Sequence, residues 1–91
     1  MDYEWDTEKS EATRRLRGFG FEIIEDLDWD FALCVGVQSV DYEERELWLG
    51  PIGKRLYAVV TTQRNEKIRI ISLRHATQVE IQIWRNEFHN G

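Results

Sequence analysis

The chain is poor in residues that cross-link or interrupt a fold. Its single cysteine, Cys34, has no partner for an internal disulfide, and Pro51 is its only proline. Cys34 lies in an apolar stretch, which favours a buried small hydrophobic side chain over a nucleophile. One unpaired cysteine is typical of a reducing compartment, so we expect a cytoplasmic protein.

Long hydrophobic runs are also absent. No stretch is long enough to cross a bilayer, and no basic segment followed by an apolar one opens the chain, so we expect neither a signal peptide nor a membrane partner. Apolar residues still make up 42% of the chain and aromatic residues 12%, which is enough for a core and excludes disorder. The 91 residues predict a single domain, 1–91, with a small core.

Positive charge is scarce in the first half of the chain and negative charge in the second. Residues 1–46 contain five Lys and Arg against 14 Asp and Glu, a net charge of −9, whereas residues 47–91 contain seven against three, a net charge of +4. The overall charge of −5 argues against nucleic-acid binding, but the asymmetry predicts separate acidic and basic surfaces. The acidic residues of 22–30 lack the spacing of a calcium loop, so we interpret them as a solvated face and expect no metal.

Hydrophobic periodicity and turn residues predict an α+β fold. Helices are predicted at residues 7–17, 22–28 and 77–88. Strands are predicted at residues 31–37, 45–49, 56–62 and from residue 67 onward. Asp6 is a suitable cap for the first helix and Gly18 a suitable end; residues 38–43 are a polar connection, 50–53 a turn, and 3–5 an edge strand or extended lead-in. We therefore expect two N-terminal helices, an antiparallel sheet of about four strands and a C-terminal helix.

The last predicted strand changes from apolar to cationic along its length. Alternation places Ser72 and Arg74 on one face and Arg69 on the other, so both arginines line one site only if a bulge or bend intervenes. Thr77 and Glu80 follow with the spacing of a capping box. Basic groups and a hydroxyl beside a helix N-terminus suit a phosphate; the alternative is a core strand whose polar end lies in water.

The closing helix carries two apolar stripes. Val79 and Ile83 form one, and Ile81, Trp84 and Phe88 form the other. One stripe is enough to cover the sheet. We predict that Ile81, Trp84 and Phe88 bind a partner, with burial in a groove of the same chain as the alternative.

Several short motifs occur in the order and spacing of one known family. The weaker ones are residues 3–6 with Lys9, Gly18 with residues 21–22, residues 43–45 with Gly50, and residues 59–64. The most specific is RIISLRHAT at residues 69–77 with Glu80, which is similar to the family's Arg-Ile-Ile-Ser-Ala-Arg signature. On these residues the chain resembles the BrnT-type ribonuclease toxins of bacterial toxin–antitoxin pairs over nearly its whole length.

The resemblance implies a RelE-like fold and a metal-independent endoribonuclease that needs no cofactor. It also implies inhibition by a cognate antitoxin, typically a ribbon-helix-helix protein, with operator DNA bound only through the toxin–antitoxin complex. Two other classes stay open. One is a degenerate toxin that keeps the fold and the antitoxin surface without cutting RNA, and the other is a binding or inhibitor module whose acidic helices occupy a basic partner.

The resemblance to the family, together with basic residues near the matching motifs, gives the candidate site residues. The positions that match the family's polar motif, and are predicted to be catalytic, are Lys9, Glu43, Arg64, Arg69, Ser72 and Arg74. The predicted RNA-binding residues are Arg14, Arg17, Arg45, Lys67 and His75. A solvated face is the alternative for the arginines of the first helix, and a structural role is the alternative for His75.

One motif departs from the family. Where members have an Asn and then Lys-His-Gly, this chain has Thr13 and then Leu16-Arg17-Gly18. Arg17 keeps a cation but cannot carry a proton near neutral pH as a histidine does. If the missing pair contributes to catalysis in the family, activity is weakened or absent here.

Metal-independent RNA cleavage needs three chemical groups. A base takes the 2′-OH proton, cations stabilise the pentavalent phosphorane, and an acid protonates the 5′ oxygen. Arg64, Arg69 and Arg74 are candidates for the cations, because guanidinium groups match pairs of phosphate oxygens. Glu43 is the candidate base. The aromatic residues suited to stacking on bases are Trp48, Tyr57 and Trp84, with core packing as the alternative for Trp84.

Overall fold

The computed structural model describes residues 2–89 of the chain. In chain order the elements are β1 (Tyr3–Trp5), α1 (Thr7–Arg17), two 3-10 helices (Phe21–Asp26 and Trp29–Phe31), β2 (Leu33–Val40), β3 (Glu43–Ile52), β4 (Arg55–Arg64), β5 (Lys67–His75) and α2 (Gln78–His89). The strands form one sheet in the spatial order β1-β5-β4-β3-β2. The predicted α+β class, with helices near both ends of the chain, is confirmed.

The sheet is mixed and has five strands, which corrects the prediction of about four antiparallel strands. β2 to β5 pair antiparallel with their neighbours, whereas β1 joins β5 in parallel. β1 is the edge strand that the sequence offered for residues 3–5, with an extended lead-in as the alternative, but three residues do not show which strand they pair with. Glu4 and Arg69, which pair across β1 and β5, are 65 positions apart, so no local pattern could reveal the pairing.

The predicted second helix is wrong in type. A 3-10 helix, Phe21–Asp26, takes its place, and a further 3-10 turn follows at Trp29–Phe31. The buried residues Phe21, Ile24 and Leu27 recur at every third position. Three residues per turn is the period of a 3-10 helix, whereas an α-helix has 3.6. The acidic side chains between them are exposed, in line with the prediction of a solvated face.

α1 and the first 3-10 helix cover one face of the sheet, called the helix side below. The core lies here and contains Phe21, Ile24, Leu27, Val59, Ile70 and Leu73. The buried hydroxyl of Ser10 on α1 accepts a hydrogen bond of 2.9 Å from the N–H of Phe21, which fixes the two helices to each other. α1 begins and ends as predicted: Asp6 accepts from the first-turn N–H groups, and Gly18 adopts a φ of 89°.

The strands are longer, and the turns shorter, than predicted. The connection predicted at residues 38–43 is a two-residue turn, Asp41-Tyr42. The turn predicted at 50–53 begins only at Gly53, because Gly50 lies inside β3. A Cβ at Gly50 would lie 2.7 Å from the Leu27 Cδ1 atom, so this glycine permits close packing and does not mark a turn.

Two of the hairpin turns place residues with side chains in the left-handed region. Asp41 and Tyr42 have φ values of 50° and 65°, and Asn65 and Glu66 have values of 53° and 64°. Two successive positive φ values are typical of a type I′ turn, which joins twisted strands with two residues. Glycine is favoured there because it has no Cβ to clash with the following carbonyl.

Replacing Tyr42 with glycine is therefore expected to raise the free energy of unfolding by about 0.5 kcal/mol. The replacement relieves about 1 kcal/mol of left-handed backbone strain, and the larger conformational entropy that glycine loses on folding cancels part of this gain. The Tyr42 side chain is fully exposed, so little burial is lost. Urea unfolding at equilibrium measures the change. Tyr42→Ala is the matched control, because it removes the ring but keeps the Cβ. A gain in the alanine variant equal to that in the glycine variant would show that turn strain is not the cause.

β5 contains a β-bulge that reverses the alternation of its side chains. Val60 of β4 pairs with Ser72, but the next residue, Thr61, pairs with Ile70, so Ile71 is the extra residue. Ile70 and Leu73 consequently both face the core. Alternation without a bulge would have put them on opposite faces.

α2 covers part of the opposite face, and one of its two apolar stripes contacts the rest of the chain. The Trp84 Nε1 atom donates to the Phe31 carbonyl oxygen at 2.7 Å, and the Phe88 ring centre lies 5.7 Å from that of Phe31. The stripe of Ile81, Trp84 and Phe88 therefore packs partly within the chain and stays half-exposed, and its binding of a partner stays a prediction. The other stripe, Val79 and Ile83, is 70% and 43% exposed. Within the described part of the chain, neither helix is long and apolar enough to span a membrane.

Candidate nucleic-acid interface

The face of the sheet opposite the helix side is rich in arginine, and we call it the arginine face. Residues directly opposite each other on paired strands share a face. One such row runs Glu4, Arg69, Thr62, Arg45 and Gln38 across all five strands. The next rows contain Ser72 with Val60 and Leu47, and Arg74 with Ala58 and Leu49.

The β5 bulge decides which predicted site residues meet on this face. Arg69 lies before the bulge, and Ser72 and Arg74 lie after it. Because the bulge reverses the alternation, all three point to the face that also carries Arg45. From the sequence, Arg69 and Arg74 were expected to line one site only if a bulge or bend lay between them. The pairing of β4 with β5 contains this bulge.

A groove of about 430 Å³ crosses the arginine face. Its polar walls include Gln38, Arg45 and Ser72, and its floor is apolar at Leu47 and Val60. Concave surfaces with an apolar floor and a few convergent polar groups are typical of ligand sites. The combination suits a ribose and base held against the floor, with a phosphate beside the arginine.

Three arginines of this face are held by carboxylates. Arg69 Nη1 lies 2.8 Å from Glu4 Oε2, and Arg45 Nε lies 3.1 Å from Glu43 Oε2. These contacts fix the direction of each guanidinium. A guanidinium has five N–H donors, so a single contact leaves others to bind phosphate oxygens.

Arg74 is held more firmly than the other two. Its Nη1 and Nη2 atoms donate to the two carboxylate oxygens of Glu80 at 2.7 and 3.0 Å. The same carboxylate accepts from the N–H of Thr77 at 2.8 Å, and Thr77 Oγ1 accepts from the N–H of Glu80, so the predicted capping box is confirmed. The hydrogen bonds from Arg74, followed by those from Thr77, lower the pKa of Glu80 to about 2. Arg74 therefore joins β5 to α2, a structural role that the sequence did not indicate.

The hairpin between β4 and β5 carries further positive charge. Arg64 and Lys67 are exposed and directly opposite each other across the hairpin. Like charges in this position repel, which is unfavourable for the hairpin but favourable for an anion bound between them. Alternation along their strands directs both side chains to the arginine face, at the end near Glu43.

The other predicted site residues belong to the helix side. Lys9, Arg14 and Arg17 lie on α1, where Lys9 and Arg17 are exposed. Arg14 forms ion pairs with Glu22 at 2.7 Å and Glu11 at 3.3 Å. The structure thus does not bring these three together with Arg45 and Arg69. Leu16, at the departure from the family motif, is also on this helix and is 77% exposed.

His75 lies on the helix side as well. It is one residue beyond Arg74, and its ring centre lies 5.1 Å from that of Phe19 and 5.0 Å from that of Tyr57. Partial burial, and then the positive charges of Arg55 and Arg17, lower the pKa of His75. The structure separates this imidazole from the arginine face by the thickness of the sheet.

Sequence reasoning missed three polar residues of the arginine face. Glu4 holds Arg69, Gln38 lines the groove, and the buried Thr62 lies between Arg45 and Arg69, where its Oγ1 donates to the Glu44 carbonyl oxygen at 2.8 Å. Gln38 and Thr62 could have been found from the alternation of β2 and β4, had the bounds of these strands been known. Glu4 could not, because its place depends on the parallel pairing of β1.

Fold and site define a class of protein: a small α+β domain with an arginine-lined sheet face suited to a polyanion. The chain matches the family model described as "Ribonuclease toxin, BrnT, of type II toxin-antitoxin system" over residues 5–80, and it belongs to that family. The resemblance inferred from the sequence is confirmed. No curated protein and no solved structure matches the chain. Membership implies a ribonuclease toxin with an RNA substrate and a cognate antitoxin.

Proposed function

We propose that the chain is a metal-independent endoribonuclease toxin that cleaves RNA on the arginine face and is neutralised by its cognate antitoxin. The observation that carries the proposal is the β5 bulge. It gathers Arg69, Ser72 and Arg74 on the face of Arg45, beside a groove large enough for a nucleotide. Family membership supplies the reaction class, since the family is described as one of ribonuclease toxins.

The reaction begins with attack of the 2′-OH on the adjacent phosphorus. The products are a 2′,3′-cyclic phosphate and a 5′-hydroxyl, as the P–O5′ bond breaks. Arg45 and Arg69 stabilise the phosphorane that forms between these states, and Ser72 donates to one of its oxygens. The departing 5′ oxygen takes its proton from the solvent. The 2′-OH proton is accepted by Glu43. Its ion pair with Arg45 keeps the carboxylate next to a phosphate-binding guanidinium.

The antitoxin is proposed to be a ribbon-helix-helix protein that contacts α2, with operator DNA bound only by the complex. Ile81, Trp84 and Phe88 are half-buried, so their accessible edges are the part of that stripe open to a partner. The exposed Val79 and Ile83 lie on the same helix and extend the apolar surface.

The test of the proposal is cleavage of a defined RNA by the purified chain in excess chelator. We expect products that end in a 2′,3′-cyclic phosphate, because the 2′ oxygen attacks the phosphorus in place of water or a metal hydroxide. An RNA with a single 2′-deoxy position at the cut site is the matched control, and it is expected to be uncut there. Products that end in a 3′-hydroxyl, or cleavage at the deoxy position, would contradict 2′-OH attack.

A second candidate function is a toxin homologue that binds a protein without cutting RNA. The specific observation in its favour is that Arg45, Arg69 and Arg74 each already have a carboxylate partner. The replacement of Lys-His by Leu16-Arg17 points the same way. A chain that binds its antitoxin tightly but leaves RNA intact in the chelator assay would establish this function instead.

A further inference from the structure

The helix side carries a second cationic site that the proposed cleavage reaction does not use. Phe19, Tyr57 and His75 form an aromatic cluster in which each ring centre lies 5.0 to 5.3 Å from the other two. All three are only half-buried. The exposed Arg55 lies two residues before Tyr57 on the same face of β4, and the exposed Arg17 ends α1 two residues before Phe19. In line with this placement, both positive charges lower the pKa of His75.

Within residues 2–89, no ion pair compensates the charges of this site. Among residues 2–89, Arg45, Arg69 and Arg74 form ion pairs, and so does Arg14 on α1, but Arg17 and Arg55 form none. Two unpaired guanidiniums beside half-exposed rings form a site for an anion that also carries an aromatic group.

The position of the site connects it to the arginine face. β1 pairs only with Ile68–Ile70, so in the described chain no strand covers the outer edge of β5 from Ile71 to His75. Arg74 and His75 are consecutive residues on opposite faces at the end of this open edge. A single strand of RNA that leaves the arginine face at Arg74 can pass around the edge and reach the aromatic cluster.

We propose that Arg17, Arg55 and the rings of Tyr57 and His75 bind one nucleotide of the RNA that flanks the cleaved bond. The phosphate lies between the two guanidiniums, and the base stacks on the exposed edge of the ring cluster. The inference rests on the proposed function for the identity of the polymer. The site itself takes a nucleotide whether or not the chain cuts RNA.

The first experiment is a titration of the full chain with adenosine 5′-monophosphate, followed by NMR of the imidazole signals. The chain has two histidines, so His75→Gln assigns the signals. We expect saturable shifts of the His75 signal. Arg17→Ala combined with Arg55→Ala is expected to weaken binding about 100-fold, which is about tenfold for each charge-assisted hydrogen bond removed. Arg15→Ala with Lys54→Ala is the matched control, which removes the same charge from neighbouring exposed positions and leaves binding intact.

A second readout uses an uncleavable 2′-O-methyl oligonucleotide. The Arg17, Arg55 double variant is expected to bind it more weakly and with a shallower dependence on salt, the slope falling by about 0.7 for one lost phosphate contact on a single strand. An unshifted His75 signal, or equal weakening in the control pair, overturns the inference.

Failure of this inference and failure of the proposed function are distinguishable. The Arg69→Ala variant is expected to lose cleavage and keep nucleotide binding at His75. A chain that binds the nucleotide through Arg17 and Arg55 but cuts no RNA contradicts the ribonuclease proposal and supports the second site. A chain that cuts RNA but gives no His75 shift contradicts the second site alone.

Discussion

Arg69→Ala is expected to lower the rate of RNA cleavage by about 100- to 1,000-fold, the range typical of losing one preorganised donor to a transition-state oxyanion. Arg69 is suited to this role because Glu4 holds it at 2.8 Å, so its guanidinium is already directed when RNA binds. The measurement is the single-turnover rate constant on a defined RNA in chelator. Arg15→Ala is the matched control, since Arg15 is an exposed arginine of α1 outside the arginine face.

Arg69→Lys separates a catalytic effect from a structural one. Lysine keeps the charge that Glu4 requires, so β1 is expected to stay paired and the urea midpoint to stay within error of the parent. It lacks the planar fork that matches two phosphate oxygens, so cleavage is still expected to fall by about tenfold or more. Full activity of the lysine variant would mean that Arg69 acts only as a charge, and full activity of Arg69→Ala would remove it from the site.

Glu80→Gln is expected to lower the free energy of unfolding at pH 7 by about 2 kcal/mol. Each pKa unit corresponds to about 1.4 kcal/mol, and the pKa of Glu80 falls from 4.5 to about 2 in the fold; partial exposure of Arg74 reduces the full value. Glutamine retains the shape of the side chain and loses its charge. Urea unfolding at equilibrium gives the difference, and Glu87→Gln, an exposed residue of the same helix, is the control.

The same ion pair predicts how stability depends on pH. Because the pKa of Glu80 is lower in the folded chain than in the unfolded one, its contribution is complete above about pH 4.5 and is lost as the pH falls towards 2. The difference in stability between the parent and Glu80→Gln should therefore shrink over that interval. A difference that stays constant from pH 7 to pH 2.5 would show that the charge of Glu80 does not stabilise the fold.

Local patterns in the sequence predicted several elements correctly. Asp6 and Gly18 bound the first helix as expected, Lys67 begins the last strand, and Thr77 and Glu80 form the capping box. Each of these signals depends on residues within a few positions of one another, because caps and strand periods are local properties of the backbone. The family signature at residues 69–77 is local too, and the family match confirms the membership that it indicated.

The errors arose where a residue's role depended on a distant neighbour. Gly50 was predicted to begin a turn, but it lies inside β3. A glycine is needed there because a Cβ would clash with Leu27. The sequence left open whether Ile81, Trp84 and Phe88 bind a partner or pack within the chain. Phe31 contacts Trp84 and Phe88, and the binding of a partner stays a prediction. A helical pattern shows that a stripe is apolar and does not show what covers it.

The sequence by itself determined the class of fold, the family, the capping of both helices and the concentration of basic residues in the second half of the chain. Tertiary structure alone decided which of those basic residues share a surface. The pairing of β4 with β5 leaves Ile71 without a partner, and this one extra residue turns Ser72 and Arg74 to the side of Arg69 and His75 to the other. Register is fixed by the packing of both faces, and a shift of one residue exchanges every side chain between them, so spacing along the chain could not decide it.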